Sequence, residues 1–250
     1  MPFQIQKTDT LLGICNRALQ SVGFPAQTDV SGSVDPAVIQ MVQAANQAAT
    51  DLLGMHYWEV MHKTYTLVIG PFGPSPPSSA LFPLPEDFLM FFDQTQWNNS
   101  QQLPMIGPVL PQDWQRVTVR TADFVTRLLW RVRDGQWEIK SPPSDAQTIS
   151  MEYISQAMVQ DQDDATLFKN FADKNGDTFL LDCYLIYYLT KAKWLEVKGF
   201  DSAAAMRDFQ VSFEQRFRQE EGAPVLSTIG GRTNYRYLDY WNVPDTGYGS

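Results

Sequence analysis

Apolar side chains recur at three- and four-residue steps towards both ends of the chain, and this period predicts helices. The first predicted helix spans 8–22 and the second spans 35–56, where Asp35 followed by Pro36 provides a cap and a first helical residue. Helical periodicity returns over 178–198 and 201–221. Each apolar stripe must be covered by a neighbour, so these four segments predict a four-helix-type bundle.

The middle of the chain changes to short alternating runs, which are typical of β-strands. Strands are predicted at 64–69, 127–132, 137–140 and 148–154. The second and third are predicted to form a tight hairpin through Arg133, Asp134 and Gly135, and the third and fourth to be joined through 141–147. A proline-rich run at 71–80 excludes regular structure between the first two.

Together these patterns predict an α+β fold in three parts. The helical bundle is expected from 1–60 and 161–222, with a β-rich subdomain inserted at 61–160. The last stretch, 223–250, contains glycines and aromatic residues but no helical stripe, so it is predicted to be an extended C-terminal tail.

Composition narrows the function classes. The 250 residues carry a formal net charge of −9, which excludes a basic protein that coats nucleic acid. Two cysteines, Cys15 and Cys183, are too few for a disulfide framework and favour a reducing compartment. The N-terminus has no signal-peptide pattern, and no run of about 18 apolar residues occurs, so a soluble, non-secreted protein is expected.

Candidate chemistry is sparse. The sequence contains no recognisable nucleotide-binding or hydrolase motif. His56 and His62 are six residues apart across a predicted helix end, which is not a spacing for two metal ligands on one face. Glu86 and Asp87 are adjacent on an extended segment, so their side chains point in opposite directions and form a poor acid–base pair. No catalytic or cofactor-binding residue is predicted.

The run at 173–179 briefly resembles a calcium loop, because Asp173, Asn175 and Asp177 alternate with other residues. It lacks the glycine and the final glutamate that such a loop requires. Asp177 is therefore interpreted as the cap of the following helix, and no metal site is predicted.

Four stretches of the chain resemble the head-to-tail adaptor (connector) proteins of short-tailed bacteriophages. They are 10–25, 35–61, 82–115, and 191–210 together with 220–227. The third is the most specific, because it is similar to the family pattern Y-x-L-P-x-D-F…D-x-x-W-[DN]…P-L-x-G-P-x-x-P-x-x-W. The motif residues that carry this similarity are Trp97, Gly107, Pro108, Pro111 and Trp114.

The resemblance implies a structural protein of the virion neck and no enzymatic activity. Such a protein forms a homo-oligomeric, dodecameric ring beneath the portal, connects the capsid to the tail and lets DNA pass. Expected partners are the portal protein, the tail tube, nozzle or tail-fibre proteins and, transiently and without sequence specificity, viral DNA. No cofactor or membrane is expected, and the protein would be made in the host cytoplasm and located at the head–tail junction of the virion.

Aromatic residues alternate with arginines in the C-terminal tail. Two arginines against Asp239 and Asp245 favour docking on protein over stacking on nucleic acid. With the resemblance, the expected contacts with the portal or a neighbouring subunit are Arg232, Tyr235, Arg236, Tyr237, Tyr240 and Trp241. Folding of the tail back onto its own helices is the alternative. Two other functions also stay open: another neck component, such as a head-closure or tail-terminator protein, and a tail-associated glycan hydrolase.

Overall fold

The structure is a computed structural model that describes residues 8–74, 77–119, 127–140 and 142–221. Its helices are α1 (Leu11–Ser21), α2 (Pro36–Met55), α3 (Pro111–Val119), α4 (Cys183–Val197) and α5 (Ala203–Glu221). Its strands are β1 (His62–Ile69), β2 (Ser79–Pro83), β3 (Phe88–Phe91), β4 (Trp97–Asn98), β5 (Leu103–Pro104), β6 (Leu129–Arg133), β7 (Gln136–Lys140), β8 (Gln147–Ser155), β9 (Val159–Gln160), β10 (Phe168–Lys169) and β11 (Thr178–Phe179).

Short polar side chains fix where the helices begin. The Thr10 hydroxyl accepts a hydrogen bond from the amide of Gly13 at the start of α1, and the Asp35 carboxylate accepts one from Ala37 at the start of α2. α4 begins five residues later than predicted, at Cys183, because Thr178 and Phe179 pair as a strand. None of the described helices is long and apolar enough to cross a membrane.

The predicted four-helix-type bundle is wrong. The described residues form a mixed fold of five helices and three antiparallel sheets, in which α1, α2 and α4 pack together while α5 packs chiefly along α4. The aromatic stripe of α5, formed by Phe209, Phe213 and Phe217, explains the difference. Phe213 contacts Trp58, and Phe217 contacts His56. The stripe therefore packs on the segment that follows α2, and α5 does not take the position of the fourth helix in a bundle. The predicted C-terminal tail, 223–250, lies outside the described residues.

The three sheets divide the strands unevenly. The first has the order β1–β8–β4–β5, with β3 also paired to β8; the second is β2–β7–β6 and the third is β10–β9–β11. The predicted hairpin joins β6 to β7, and both turn residues, Asp134 and Gly135, have positive φ values of 52° and 70°. This backbone is that of a type I′ turn.

β8 does not continue the hairpin sheet. It pairs with β1 from His62 opposite Ile154 to Ile69 opposite Gln147, so the chain changes sheets between Lys140 and Gln147. A second apolar cluster, separate from that of the helices, fills the space between the sheets. Its buried members are Ile69, Met105, Trp130, Trp137, Ile139, Ile149 and Met151.

Candidate functional site

The motif segment around Gly107 lies directly against β6. A Cβ atom at Gly107 would lie 2.4 Å from the carbonyl oxygen of Trp130 and 2.8 Å from its indole ring, so a side chain does not fit there. The amide of Trp130 donates to the carbonyl of Ile106 over 3.0 Å, and the amide of Val109 donates to the carbonyl of Trp130 over 3.0 Å. This close approach of two backbones requires the glycine of the motif.

The second half of the motif fastens α3 to the β6–β7 hairpin. Pro111 is the first residue of α3, and one turn later the ring of Trp114 is only 4% exposed. The Arg131 guanidinium lies 4.3 Å from the centroid of that ring, and its Nε donates to the Glu138 carboxylate over 2.6 Å. The Arg131–Glu138 ion pair therefore covers the Trp114 ring on the side that faces solvent.

Trp97, the remaining motif residue, lies in the other sheet. It belongs to β4, where it is opposite Ser150 of β8 and Pro104 of β5, and its side chain is 42% exposed. The structure thus brings together four of the five motif residues, Gly107, Pro108, Pro111 and Trp114, and leaves Trp97 at the surface. The predicted interface residues Arg232, Tyr235, Arg236, Tyr237, Tyr240 and Trp241 lie outside the described residues.

Asp87, within the leucine–proline–x–aspartate–phenylalanine part of the motif segment, joins two strands. Its carboxylate accepts hydrogen bonds from Lys63 Nζ of β1 over 2.7 Å, from the Tyr153 hydroxyl of β8 over 2.8 Å and from the Ser155 hydroxyl over 2.6 Å. Burial acts to raise the pKa of Asp87, but these three donors outweigh it and hold the pKa below its usual range. In the sequence, Asp87 stands out only as one of two adjacent carboxylates, and no local pattern indicates this structural role.

Asp177 does not cap α4. It is fully buried and accepts hydrogen bonds from the amides of Asp173 and Lys174, each over 2.8 Å, and from the amide of Gln162 over 3.1 Å. The cap of α4 is Asp182, whose carboxylate accepts from the amides of Tyr184 and Leu185. Asp177 therefore stabilises a turn that precedes β11, and the predicted cap lies five residues too early.

Three carboxylates, those of Asp161, Asp173 and Asp177, come within 4.8 Å of one another and have the composition of a cation site. The Lys169 ammonium lies between them, 2.8 Å from oxygens of both Asp161 and Asp177 and in contact with Asp173. Hydrogen bonding to Lys169 lowers the pKa of Asp161, and despite burial the three carboxylates raise the pKa of Lys169. The lysine thus provides the positive charge that the carboxylates require.

The two histidines lie in separate environments. His56 Nε2 is 3.2 Å from a carboxylate oxygen of Glu220, and its ring packs edge-on against Trp58 and Phe217. Burial is the main reason that the pKa of Glu220 is raised. His62 instead packs against Phe92 at a ring-centroid distance of 4.5 Å. They do not form a shared site.

A groove opens between the C-terminal ends of α1 and α4. We call it the α1–α4 groove; its volume is about 530 Å³, and it is lined by Ser21, Val22, Phe24, Lys191, Trp194, Leu195, Lys198 and Phe200. The rings of Phe24 and Trp194 meet edge-on at 5.8 Å. Phe200 is 62% exposed, whereas Trp194 is only 3% exposed. The groove therefore combines aromatic walls with two ammonium groups.

Comparison of the chain with protein-family models finds no match. A search of curated proteins finds no significant relative.

Proposed function

We propose that this chain is a structural protein of the bacteriophage neck, a head-to-tail adaptor that forms a dodecameric ring beneath the portal and lets DNA pass to the tail. The observation that supports it best is the geometry of the motif. Gly107 and Trp114, which the resemblance singled out, are the residues on which the contact between α3 and the β6–β7 hairpin depends. The motif spacing thus has a physical reason in this fold.

The charged groups of the described residues favour a structural role over acid–base chemistry. Asp87 is held by three donors, and Asp161, Asp173 and Asp177 share the Lys169 ammonium. An acid–base catalyst needs a carboxyl group that can exchange a proton with a substrate. These carboxylates instead connect segments of the chain to one another.

The net charge is compatible with a channel for DNA. A lumen that binds phosphates through many lysines and arginines gains affinity by counterion release, which would slow the passage of DNA. The charge of −9 favours repulsion instead. In this proposal the tail residues Arg232, Tyr235, Arg236, Tyr237, Tyr240 and Trp241 contact the portal and neighbouring subunits.

Electron microscopy of the purified chain mixed with its portal tests the proposal. We expect twelvefold rings seated on the portal and no release of fragments from glycan substrates. Rings of another symmetry would favour a head-closure or tail-terminator protein, and glycan release would favour a hydrolase. Absence of any complex with the portal would contradict the adaptor function.

A matched pair of variants tests the role of the motif surface. Trp97→Ala removes a motif residue that is 42% exposed. Packing within the chain does not explain why a tryptophan occupies this position. Leu81→Ala removes a side chain of β2 that is 50% exposed and lies outside the motif residues. We expect weaker ring or portal binding for Trp97→Ala alone. Equal binding by both variants would contradict a role for Trp97 in assembly.

A further inference from the structure

The turn that precedes β11 contains the only asparagine–glycine pair in the sequence, Asn175–Gly176. Such a pair is chemically reactive. The backbone nitrogen of the glycine can attack the side-chain carbonyl carbon of the asparagine, because the glycine has no Cβ atom to hinder the approach. Both groups must move for this attack, so the contacts of the pair in the folded chain decide how fast it occurs.

The side chain of Asn175 fastens the connection between α1 and α2 to this turn. Its Oδ1 accepts hydrogen bonds from the amides of Val30 over 2.9 Å and Ser31 over 3.1 Å. Its Nδ2 donates to the carboxylate of Asp29 over 2.8 Å. Val30 is only 2% exposed and belongs to the helical core. These three hydrogen bonds fix the orientation of the side-chain amide against a buried part of the fold.

The attacking nitrogen is held as well. The amide of Gly176 donates to Oε1 of Gln162 over 2.8 Å. The backbone before it is fixed by Asp177, whose buried carboxylate accepts from the amides of Asp173 and Lys174. Attack requires the glycine nitrogen to lose its proton and to turn towards the asparagine side chain. The hydrogen bond to Gln162 opposes both changes.

We propose that Asn175 is a deamidation site that the folded chain guards and that only local opening of the turn exposes. In this reaction the Gly176 nitrogen loses its proton to solvent and forms a bond to Cγ of Asn175. The bond between Cγ and Nδ2 breaks, and the leaving nitrogen takes up one proton and departs as ammonia. Water then adds to a carbonyl of the resulting succinimide ring and opens it to aspartate or isoaspartate. This inference goes beyond the proposed function, because it concerns the free chain and requires no portal.

Deamidation would remove the contact between the turn and the α1–α2 connection. Hydrogen bonds from the amide of Gly32 and from Asn175 hold the pKa of Asp29 below its usual range, so Asp29 is charged at neutral pH. A carboxylate at position 175 has no N–H to donate to Asp29, and two negative charges would meet in its place. Isoaspartate would also add a methylene group to the backbone. A transient opening of the turn would thus become permanent.

Mass spectrometry of the full-length chain, kept folded at mildly alkaline pH, tests the proposal, because deamidation replaces NH2 by OH. Peptide mapping locates the change. We expect conversion of Asn175 to be at least about tenfold slower in the folded protein than in denaturing urea, since the reaction requires the opened turn. An equal or faster rate in the folded protein would overturn the proposal.

A matched pair of glutamine variants tests the guarding contact. Gln162→Ala frees the Gly176 amide and should speed conversion in the folded protein about three- to tenfold, the equivalent of one hydrogen bond, without changing the rate in urea. Gln160→Ala is the control, because its side chain donates to the carbonyl of Ala165 and not to the turn. Equal rates in both variants would overturn the proposal. So would a rate that rises only in proportion to the globally unfolded fraction.

The variant Asn175→Asp reproduces the aspartate product and tests its consequence. We expect the amides of Val30 and Ser31 to exchange hydrogen at least about tenfold faster than in the wild type, because their segment opens more often. Adding Asp29→Asn removes the like charge and should restore most of the protection. Failure of the double variant to regain protection would overturn the proposed repulsion between the two carboxylates.

Discussion

The helical core and the sheet core of this chain differ in the size of the side chains that meet at their centres. On α2, Ala45, Ala48 and Ala49 are completely buried, so α2 and α4 approach closely through small side chains. Between the sheets, Trp130 and Trp137 fill the space and meet edge-on at 6.0 Å. The contact between α2 and α4 is therefore made through small side chains, although large rings such as Trp58 and Phe179 are buried elsewhere in the helical core, whereas two large rings meet at the centre of the sheet core.

Polar groups are placed differently as well. In the sheets, the carboxylate of Asp87 and the Arg131–Glu138 pair connect neighbouring strands at the edges of the apolar cluster. The α2–α4 contact instead carries its ion pair, Lys193 with Asp51, at a partly exposed position. We therefore expect apolar truncation to be most damaging in the helices and removal of charge to be most damaging in the sheets.

The largest effect is expected for Leu185→Ala on α4. Leu185 is completely buried, so the variant should lose about 2–5 kcal/mol of unfolding free energy through lost burial and an unfilled cavity. Urea unfolding at neutral pH measures the loss. Val197→Ala is the control on the same helix, because Val197 is 70% exposed and its truncation should change stability by less than about 0.5 kcal/mol. Similar losses in both variants would contradict the assignment of the buried face.

Asp87→Asn should give the next largest effect, about 1.5–3 kcal/mol, because it removes the charge from three hydrogen bonds. Asp93→Asn is the matched control, since Asp93 is an exposed residue in the same region of the chain. It should stay within about 0.5 kcal/mol of the wild type in urea unfolding. An Asp87→Asn variant as stable as the control would show that the sheets do not depend on this carboxylate.

The same residue makes stability depend on pH. The pKa of Asp87 is lowered in the folded chain, and an unfolded aspartate titrates at about 3.9. Its contribution is therefore complete above about pH 4 and is lost as the pH falls through the folded value. We expect a constant gap between wild type and Asp87→Asn at neutral and mildly acidic pH, and a narrowing gap below about pH 4. A gap that widens on acidification would contradict this sign.

Local sequence patterns were sufficient to predict most of the helices and one hairpin. The stripe of apolar residues and the Asp35–Pro36 cap placed α2 within one residue of its observed ends. The Asp134–Gly135 pair specified the β6–β7 turn, because both residues tolerate the positive φ that the turn needs. These features depend on neighbours in sequence, which is why periodicity and turn chemistry could reveal them.

Contacts between residues that are far apart in the sequence could not be predicted from local patterns. β8 pairs with β1, about 80 residues earlier, whereas sequence proximity suggested the β6–β7 hairpin as its neighbour. The apolar stripe of α5 indicated a face that packs against the rest of the chain, of which Phe209 is buried and Phe213 partly buried, but it did not reveal that Trp58 covers part of it. Asp87 illustrates the same limit within the candidate site, because its three donors come from two strands that are far apart in the chain.

Two glycines, Gly107 beside β6 and Gly54 on α2, have opposite surroundings in the two regions. Gly107→Ala should cost about 1–3 kcal/mol, because its Cβ would lie 2.4 Å from a backbone oxygen of β6. Gly54→Ala on α2 should instead stabilise the protein by about 0.5–1 kcal/mol, since nothing lies within 4 Å of the new Cβ and alanine favours the helix. Thermal or urea unfolding of the two variants should shift in opposite directions. Two shifts of the same sign would contradict the close packing inferred at Gly107.

The smallest effect is expected for Lys193→Met, which removes the ion pair between α2 and α4. Lys193 Nζ lies 2.5 Å from a carboxylate oxygen of Asp51, whose side chain is 39% exposed. Water competes for such a pair, so its loss should cost only about 0.2–1 kcal/mol. The difference from wild type should also decrease between about 0.05 M and about 1 M salt, because ions screen partly exposed charges. A salt-independent loss as large as that of Asp87→Asn would mean that charge contributes equally to both regions, and the contrast between helices and sheets would not hold.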